Sequence, residues 1–74
     1  MVSDGTFTIY VYGEKGGKHH KPHCHIRWAG HEAVLEIRSL DQIIGDPLPR
    51  NGRALAQRYV EAIADKWEEL NDDD

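Results

Sequence analysis

Hydrophobic and polar residues alternate along the first half of the chain with the period of two that is typical of β-strands. The alternating segments are rich in the β-branched and aromatic residues that favour strands, and they cover residues 6–12, 23–29 and 32–38. A short apolar step at Ile43-Ile44 indicates a possible fourth strand over residues 42–45. The pattern therefore predicts an antiparallel sheet of three or four strands.

The residues between the second and third strands predict how these strands pair. Gly30-His31 fits a two-residue hairpin turn with glycine at its first central position, and such a turn fixes the register. One face would then pair Trp28 with Ala33, Ile26 with Leu35 and Cys24 with Ile37, and the other would pair Arg27 with Val34, His25 with Glu36 and His23 with Arg38. The first set is entirely apolar, so we expect that set to face the core.

Apolar residues in the second half of the chain recur at the spacing of one helical stripe. They are Leu55, Tyr59, Ala62, Ile63, Trp67 and Leu70, and with Asn51 as N-cap they predict a helix over about residues 52–70. Packed on the apolar face of the sheet, this C-terminal helix completes an α+β fold. We expect the 74 residues to form a single domain, 1–74.

The sheet face turned away from the helix is predicted to be polar. A single helix cannot cover both faces, so this face would meet solvent, a ligand or a partner. Its residues are Tyr10, Tyr12, His23, His25, Arg27, Glu36 and Arg38, with Val34 as the apolar exception.

The charge and composition of the chain limit the classes of binding partner and the cellular compartment that we expect. The net charge of −4 argues against generic nucleic-acid binding, and we expect no DNA partner. Basic residues nevertheless cluster near the histidines, at Lys15, Lys18, Lys21 and Arg27, so RNA stays open as a partner. The single cysteine forbids an internal disulfide. With neither a signal-peptide pattern nor an apolar run of membrane length, we expect a cytoplasmic protein without a membrane partner.

Two histidines on one strand suggest acid–base chemistry. His23 and His25 are two residues apart, so both imidazoles leave the same face, with their Cα atoms roughly 7 Å apart. Imidazole titrates near neutral pH and can act on a phosphodiester. In this interpretation His23 and His25 supply acid and base, Glu36 orients His25, Arg27 and Arg38 bind phosphate, and Tyr10 or Tyr12 stacks a base. The enzyme would be a metal-independent ribonuclease without a cofactor.

Two other interpretations of the same histidines stay open. Their spacing also suits two ligands of one zinc or other divalent transition-metal ion, with His20 or His19 as the third ligand. Cys24 would point to the opposite face and act as a small core residue. In the simplest interpretation the face is a non-catalytic interaction surface, and a cross-strand His–Glu pair contributes only about a few tenths of a kcal/mol.

The order of motifs along the chain resembles that of a family of small bacterial proteins catalogued as domain of unknown function 4160. The shared features are Pro22-His23-Cys24-His25 followed by Arg27, the paired strand 33–37, and Leu48-Pro49-Arg50 before an amphipathic helix. The resemblance covers roughly residues 7–70, and the family's Pro-His-x-His motif usually has an aromatic residue where this chain has Cys24.

The resemblance also implies a cellular setting. Members of the family often stand beside a second small protein, in an arrangement like a toxin–antitoxin pair. It therefore implies a prokaryotic component of such a module, with a small cognate protein as its partner. A toxin role would favour RNA as the substrate and the polar sheet face as the site.

Overall fold

A computed structural model describes residues 2–12 and 22–71, which form a five-stranded antiparallel sheet followed by two helices. The strands are β1 (Val2–Ser3), β2 (Thr8–Tyr10), β3 (His23–Trp28), β4 (His31–Glu36) and β5 (Gln42–Gly45), and the helices are α1 (Arg50–Arg58) and α2 (Val60–Asn71). The strands lie in the sheet in chain order. The predicted α+β class is confirmed. The predicted numbers of elements, three or four strands and one helix, are too low, because the described residues form five strands and two helices.

The first strand, β1, comes from a stretch with no alternating pattern. Val2 pairs with Ile9 and Ser3 with Thr8, so β1 lies at one edge of the sheet. The Asp4 carboxylate closes the connecting turn by accepting hydrogen bonds from the backbone N–H groups of Phe7, at 2.8 Å, and Thr6, at 2.9 Å. These two bonds favour the ionised carboxylate and lower the pKa of Asp4.

The turn between β3 and β4 is centred one residue earlier than expected. Ala29 and Gly30 both have positive φ, 43° and 83°, as in a type I′ hairpin turn. Trp28 therefore pairs with His31, and the predicted register is wrong by two residues. The observed pairs are Ile26 with Ala33, Cys24 with Leu35, Arg27 with Glu32, His25 with Val34 and His23 with Glu36. A shift of two residues leaves every side chain on its predicted face, because side chains alternate with a period of two.

The core lies between the apolar face of the sheet and the two helices. Its buried residues come from the strands, the helices and the connecting segments: Phe7, Ile9, Cys24, Ile26, Ala33, Leu35, Ile37, Leu40, Leu55, Ala56 and Ile63. Gly52 is also buried, and a Cβ there would lie 2.8 Å from Cε1 of Phe7 and 2.8 Å from Cδ1 of Leu48. Glycine at this position therefore allows α1 to approach the sheet closely.

The helical region begins earlier than predicted and is interrupted once. The residue preceding α1 is Pro49, which makes no side-chain capping bond, so the prediction of Asn51 as N-cap is wrong. α1 and α2 are separated at Tyr59, yet the Tyr59 N–H still donates to the carbonyl of Leu55 at 3.2 Å. Of the helices described, none combines the length and the apolar character needed to cross a membrane.

Candidate functional site

The sheet face opposite the helices carries most of the predicted site residues, and we call it the open face. It follows from the alternation of β3, in which Cys24 and Ile26 are fully buried in the core while the residues between them point away from it. The open face is formed by Tyr10, Tyr12, His23, His25, Arg27, Glu32, Val34, Glu36 and Ile44. His25 lies near its centre, between Tyr10 on β2 and Val34 on β4.

A carboxylate from the neighbouring strand holds the His25 ring. Nδ1 of His25 lies 2.9 Å from Oε2 of Glu32. An ionised carboxylate can only accept hydrogen bonds, so Nδ1 of His25 carries the shared proton and its Nε2 is the nitrogen that faces away from Glu32. The other carboxylate oxygen of Glu32 is 3.7 Å from Nε of Arg27. The three side chains therefore form one charged cluster on the open face.

Glu36 does not have the position predicted for it. The prediction that it lies opposite His25 is wrong, because Glu36 pairs with His23 in the observed register. Its Oε1 atom accepts a hydrogen bond from the hydroxyl of Ser39 at 2.6 Å. The residue that orients His25 is Glu32, which sequence reasoning missed.

Aromatic side chains surround His25 on the side of β2. The ring of His25 is edge-on to Tyr12, with centroids 4.9 Å apart, and to His23, with centroids 5.4 Å apart. Tyr12 in turn stacks with Tyr10 at a centroid distance of 6.2 Å and an interplanar angle of 8°. The guanidinium carbon of Arg27 lies 5.5 Å from the centre of the Tyr10 ring, within cation–π range. The structure thus brings five of the predicted site residues into one contiguous cluster.

Arg38 lies outside this cluster, so its predicted place as a second phosphate-binding residue on the open face is wrong. β4 ends at Glu36, and Arg38 follows in a turn with φ of 89°. Its guanidinium pairs instead with the carboxylate of Glu68 on α2, at 3.4 Å. In the observed register Arg38 lies beyond Glu36, the last residue of β4 that pairs with β3.

The metal interpretation gains no third ligand from the residues described. Within residues 2–12 and 22–71, no three histidine, cysteine, aspartate or glutamate side chains are grouped closely enough to hold a metal ion. His19 and His20 lie outside the described residues. Cys24 is fully buried in the core, and this burial raises the pKa of its thiol to about 11. Cys24 is therefore a packing residue and not part of the open face.

A groove adjoins the charged cluster at the hairpin end of the sheet. It has a volume of about 460 Å³ and is lined by Thr6, Thr8, Arg27, Glu32 and the turn from Trp28 to His31. Hydroxyl, guanidinium and imidazole groups line this groove and are suited to binding an anionic group, whereas the Glu32 carboxylate in the same lining opposes it. Sequence reasoning missed the threonines, although Thr8 pairs with Arg27 and shares its face.

One protein family matches nearly the whole chain. It is described as "Domain of unknown function (DUF4160)", and the match covers residues 6–70, which include every residue of the open face. No curated protein and no solved structure matches the chain.

Proposed function

Since the chain belongs to the DUF4160 family of domains of unknown function, we propose its function from its own geometry: it is a component of a toxin–antitoxin-like module that cleaves RNA at the open face. The observation that carries the proposal is the hydrogen bond of 2.9 Å between His25 and Glu32 beside the exposed Arg27. A carboxylate that fixes one nitrogen of an imidazole leaves the other nitrogen oriented for proton transfer.

Two imidazoles suffice for the cleavage of RNA by its own 2′-hydroxyl. Nε2 of His25 would take the proton of the 2′-hydroxyl while the 2′-oxygen attacks phosphorus. The bond between phosphorus and the 5′-oxygen breaks, and a protonated His23 would give its proton to the leaving 5′-oxygen. The products are a 2′,3′-cyclic phosphate and a 5′-hydroxyl, and the step needs no metal ion or other cofactor.

Arg27 and the tyrosines would bind the substrate. The distance of 3.7 Å between Arg27 and Glu32 exceeds that of a hydrogen bond, so the exposed guanidinium can turn towards a phosphate. Tyr10 and Tyr12 present aromatic rings on which the bases of a single strand can stack. Action on cellular RNA would place the protein in the bacterial cytoplasm.

The test is cleavage of a fluorescent single-stranded RNA by untagged protein in the presence of EDTA. We expect H25A to lower the rate by roughly 10²- to 10⁴-fold, the usual contribution of a general acid or base, while the protein stays folded. E32Q should lower the rate as well, and E61Q is the matched control because Glu61 is an exposed residue of α2, outside the open face. Equal rates for E32Q and E61Q, or full activity in H25A, would contradict the proposal.

A second function, binding of a cognate small protein through the open face, is favoured by a different observation. Val34 and Ile44 pair on this face and place apolar side chains on the side of His25 opposite to Tyr10, and the face also carries tyrosine and arginine, which are enriched in protein interfaces. Co-expression with the small protein encoded beside the gene tests this function. A binding module should keep its partner in H25A and lose it in Y10A and R27A, without RNA cleavage in any variant.

A further inference from the structure

The outer strand of the sheet exposes two adjacent aliphatic residues. β5 is the last strand in the sheet order, and its Ile43 and Ile44 side chains are 50% and 64% exposed. Single exposed apolar residues are ordinary on protein surfaces, but neighbouring ones that form a patch indicate a contact site. The strand itself contains no charged residue, although charge is a common protection of an edge strand.

A bulge in β5 places Ile43 next to the pair of Ile44 and Val34. The partner of Val34 is Ile44, whereas the partner of the next residue, Leu35, is Gln42. Ile43 is therefore the inserted residue, and it lies next to the pair formed by Ile44 and Val34. We call these three residues the aliphatic patch. It lies on the β4–β5 side of the sheet, away from the tyrosines of the β2 side.

The rim of this patch is acidic. Asp41 and Asp46 flank β5, and the sequence has no lysine or arginine between Ser39 and Pro49. The Asp46 carboxylate is held in place because it accepts a hydrogen bond from the Glu32 N–H at 3.3 Å and pairs with Nδ1 of His31 at 3.2 Å. A ligand that covers the aliphatic patch would therefore meet negative charge at both ends of β5.

We propose that the aliphatic patch binds a segment of the partner protein in which adjacent aliphatic residues are flanked by lysine or arginine. The proposal rests on the proposed function in one respect, namely that the module has a protein partner. A second copy of this chain fits less well. An antiparallel pairing of two β5 strands centred between Ile43 and Ile44 would set Asp41 of each copy against Asp46 of the other, and like charges in such positions repel.

The probe is a synthetic peptide, acetyl-Lys-Lys-Val-Leu-Val-Lys-Lys-amide, titrated into ¹⁵N-labelled full chain. We expect chemical-shift changes at residues 41–46 and at Val34, and weaker binding at higher salt. I44T should weaken binding at least about tenfold, since it removes apolar contact area. L70T is the matched control, because Leu70 is 39% exposed on α2 and lies outside the patch; it should bind as the unsubstituted chain does.

A charge exchange tests the acidic rim. The peptide with glutamate in place of lysine should bind the unsubstituted chain at least about tenfold more weakly, and D41K should recover part of that binding. Shift changes elsewhere on the chain, equal binding of both peptides, or equal effects of I44T and L70T would overturn the proposal. So would concentration-dependent dimerisation that perturbs residues 41–46 without peptide, since the occupant would then be a second copy.

The outcomes separate this proposal from the proposed function. I43T should weaken peptide binding and leave the RNA cleavage rate unchanged, because Ile43 belongs to the patch and is not a residue of the open face. Peptide binding at the patch without RNA cleavage would support this proposal and refute the catalytic role. RNA cleavage without peptide binding would do the reverse.

Discussion

Replacement of Gly45 by alanine is expected to disrupt the pairing of β5 with β4. Gly45 has a φ of 107°, and a Cβ at this position would lie 2.7 Å from the Cα atom of Ala33 and close to the carbonyl oxygen of Glu32. Both of these are backbone atoms of β4, so they cannot rotate away. The left-handed conformation costs an alanine about 1–3 kcal/mol, and the steric overlap adds about 1–3 kcal/mol.

The sum of about 2–6 kcal/mol is comparable to the whole stability of a domain of this size, which is about 3–5 kcal/mol. We therefore expect G45A to be largely unfolded or to lose β5. Gly30 provides the matched control, because its φ is 83° but a Cβ there would have open space around it for 4 Å beyond its own chain neighbours. G30A should therefore show the conformational cost alone.

The assay is urea unfolding of both variants, followed by far-UV circular dichroism and analysed by linear extrapolation. The difference between the two free energies of unfolding isolates the contact with β4. If G45A and G30A lose equal stability, the close approach of Gly45 to β4 contributes nothing and the reasoning is refuted.

Three further predictions concern single side chains. R53A should lower the free energy of unfolding by about 1.5–3 kcal/mol, because Nη1 of Arg53 donates a hydrogen bond to the Leu40 carbonyl at 2.6 Å. R50A is the control, because Arg50 occupies an exposed position of the same helix. It should change the free energy of unfolding, measured in urea, by less than about 0.5 kcal/mol. Cys24 should resist iodoacetamide in the native protein at pH 7.5, because burial raises its thiol pKa to about 11; quantitative labelling by mass spectrometry without denaturant would contradict this. Asp4 has a lowered pKa, so its contribution to stability is present above the usual value of 3.8 and is lost as the pH falls through the folded value. The stability difference between the unsubstituted chain and D4N should therefore shrink in acid unfolding, and a difference independent of pH would contradict it.

The alternation of hydrophobic and polar residues was sufficient to predict the two faces of the sheet. Cys24 and Ile26 face the core, and His23 and His25 lie on the other face, as their alternating positions along the strand predict. The same pattern cannot distinguish registers that differ by two residues, because each of them preserves the faces. The choice depends on the turn alone.

The turn was misassigned because alanine rarely adopts a positive φ. Ala29 does so at 43°, and this one residue decides whether Glu36 or Glu32 reaches His25. The cost of placing Ala29 there is compensated by the pairing of the whole hairpin, which no local preference reveals. Local sequence reasoning therefore predicted the sheet face that carries the candidate site. It could not predict that Glu32 is the carboxylate that orients His25.

The helix boundary illustrates a second limit. Asn51 is a better N-cap than Pro49 by intrinsic preference, yet α1 begins at Arg50. In the first turn of α1 Gly52 closely approaches Phe7, and this contact joins residues far apart in sequence. Tertiary packing therefore overrides the local signal, and β1 is a similar case, since its two residues form a strand only because β2 is beside them.

Successive side chains of β3 point alternately to the open face and to the core, and this alternation has a consequence for amide hydrogen exchange. The backbone of His25 lies in the middle strand of the sheet, between β2 and β4, and its neighbours Cys24 and Ile26 are fully buried. Amides in such a position exchange mainly through global unfolding, so the backbone beneath the site is as slow to open as the core itself. A ligand that binds the open face of the folded chain alone therefore slows the exchange of the β3 amides by the factor 1 + [L]/Kd, because it stabilises the folded state against global unfolding.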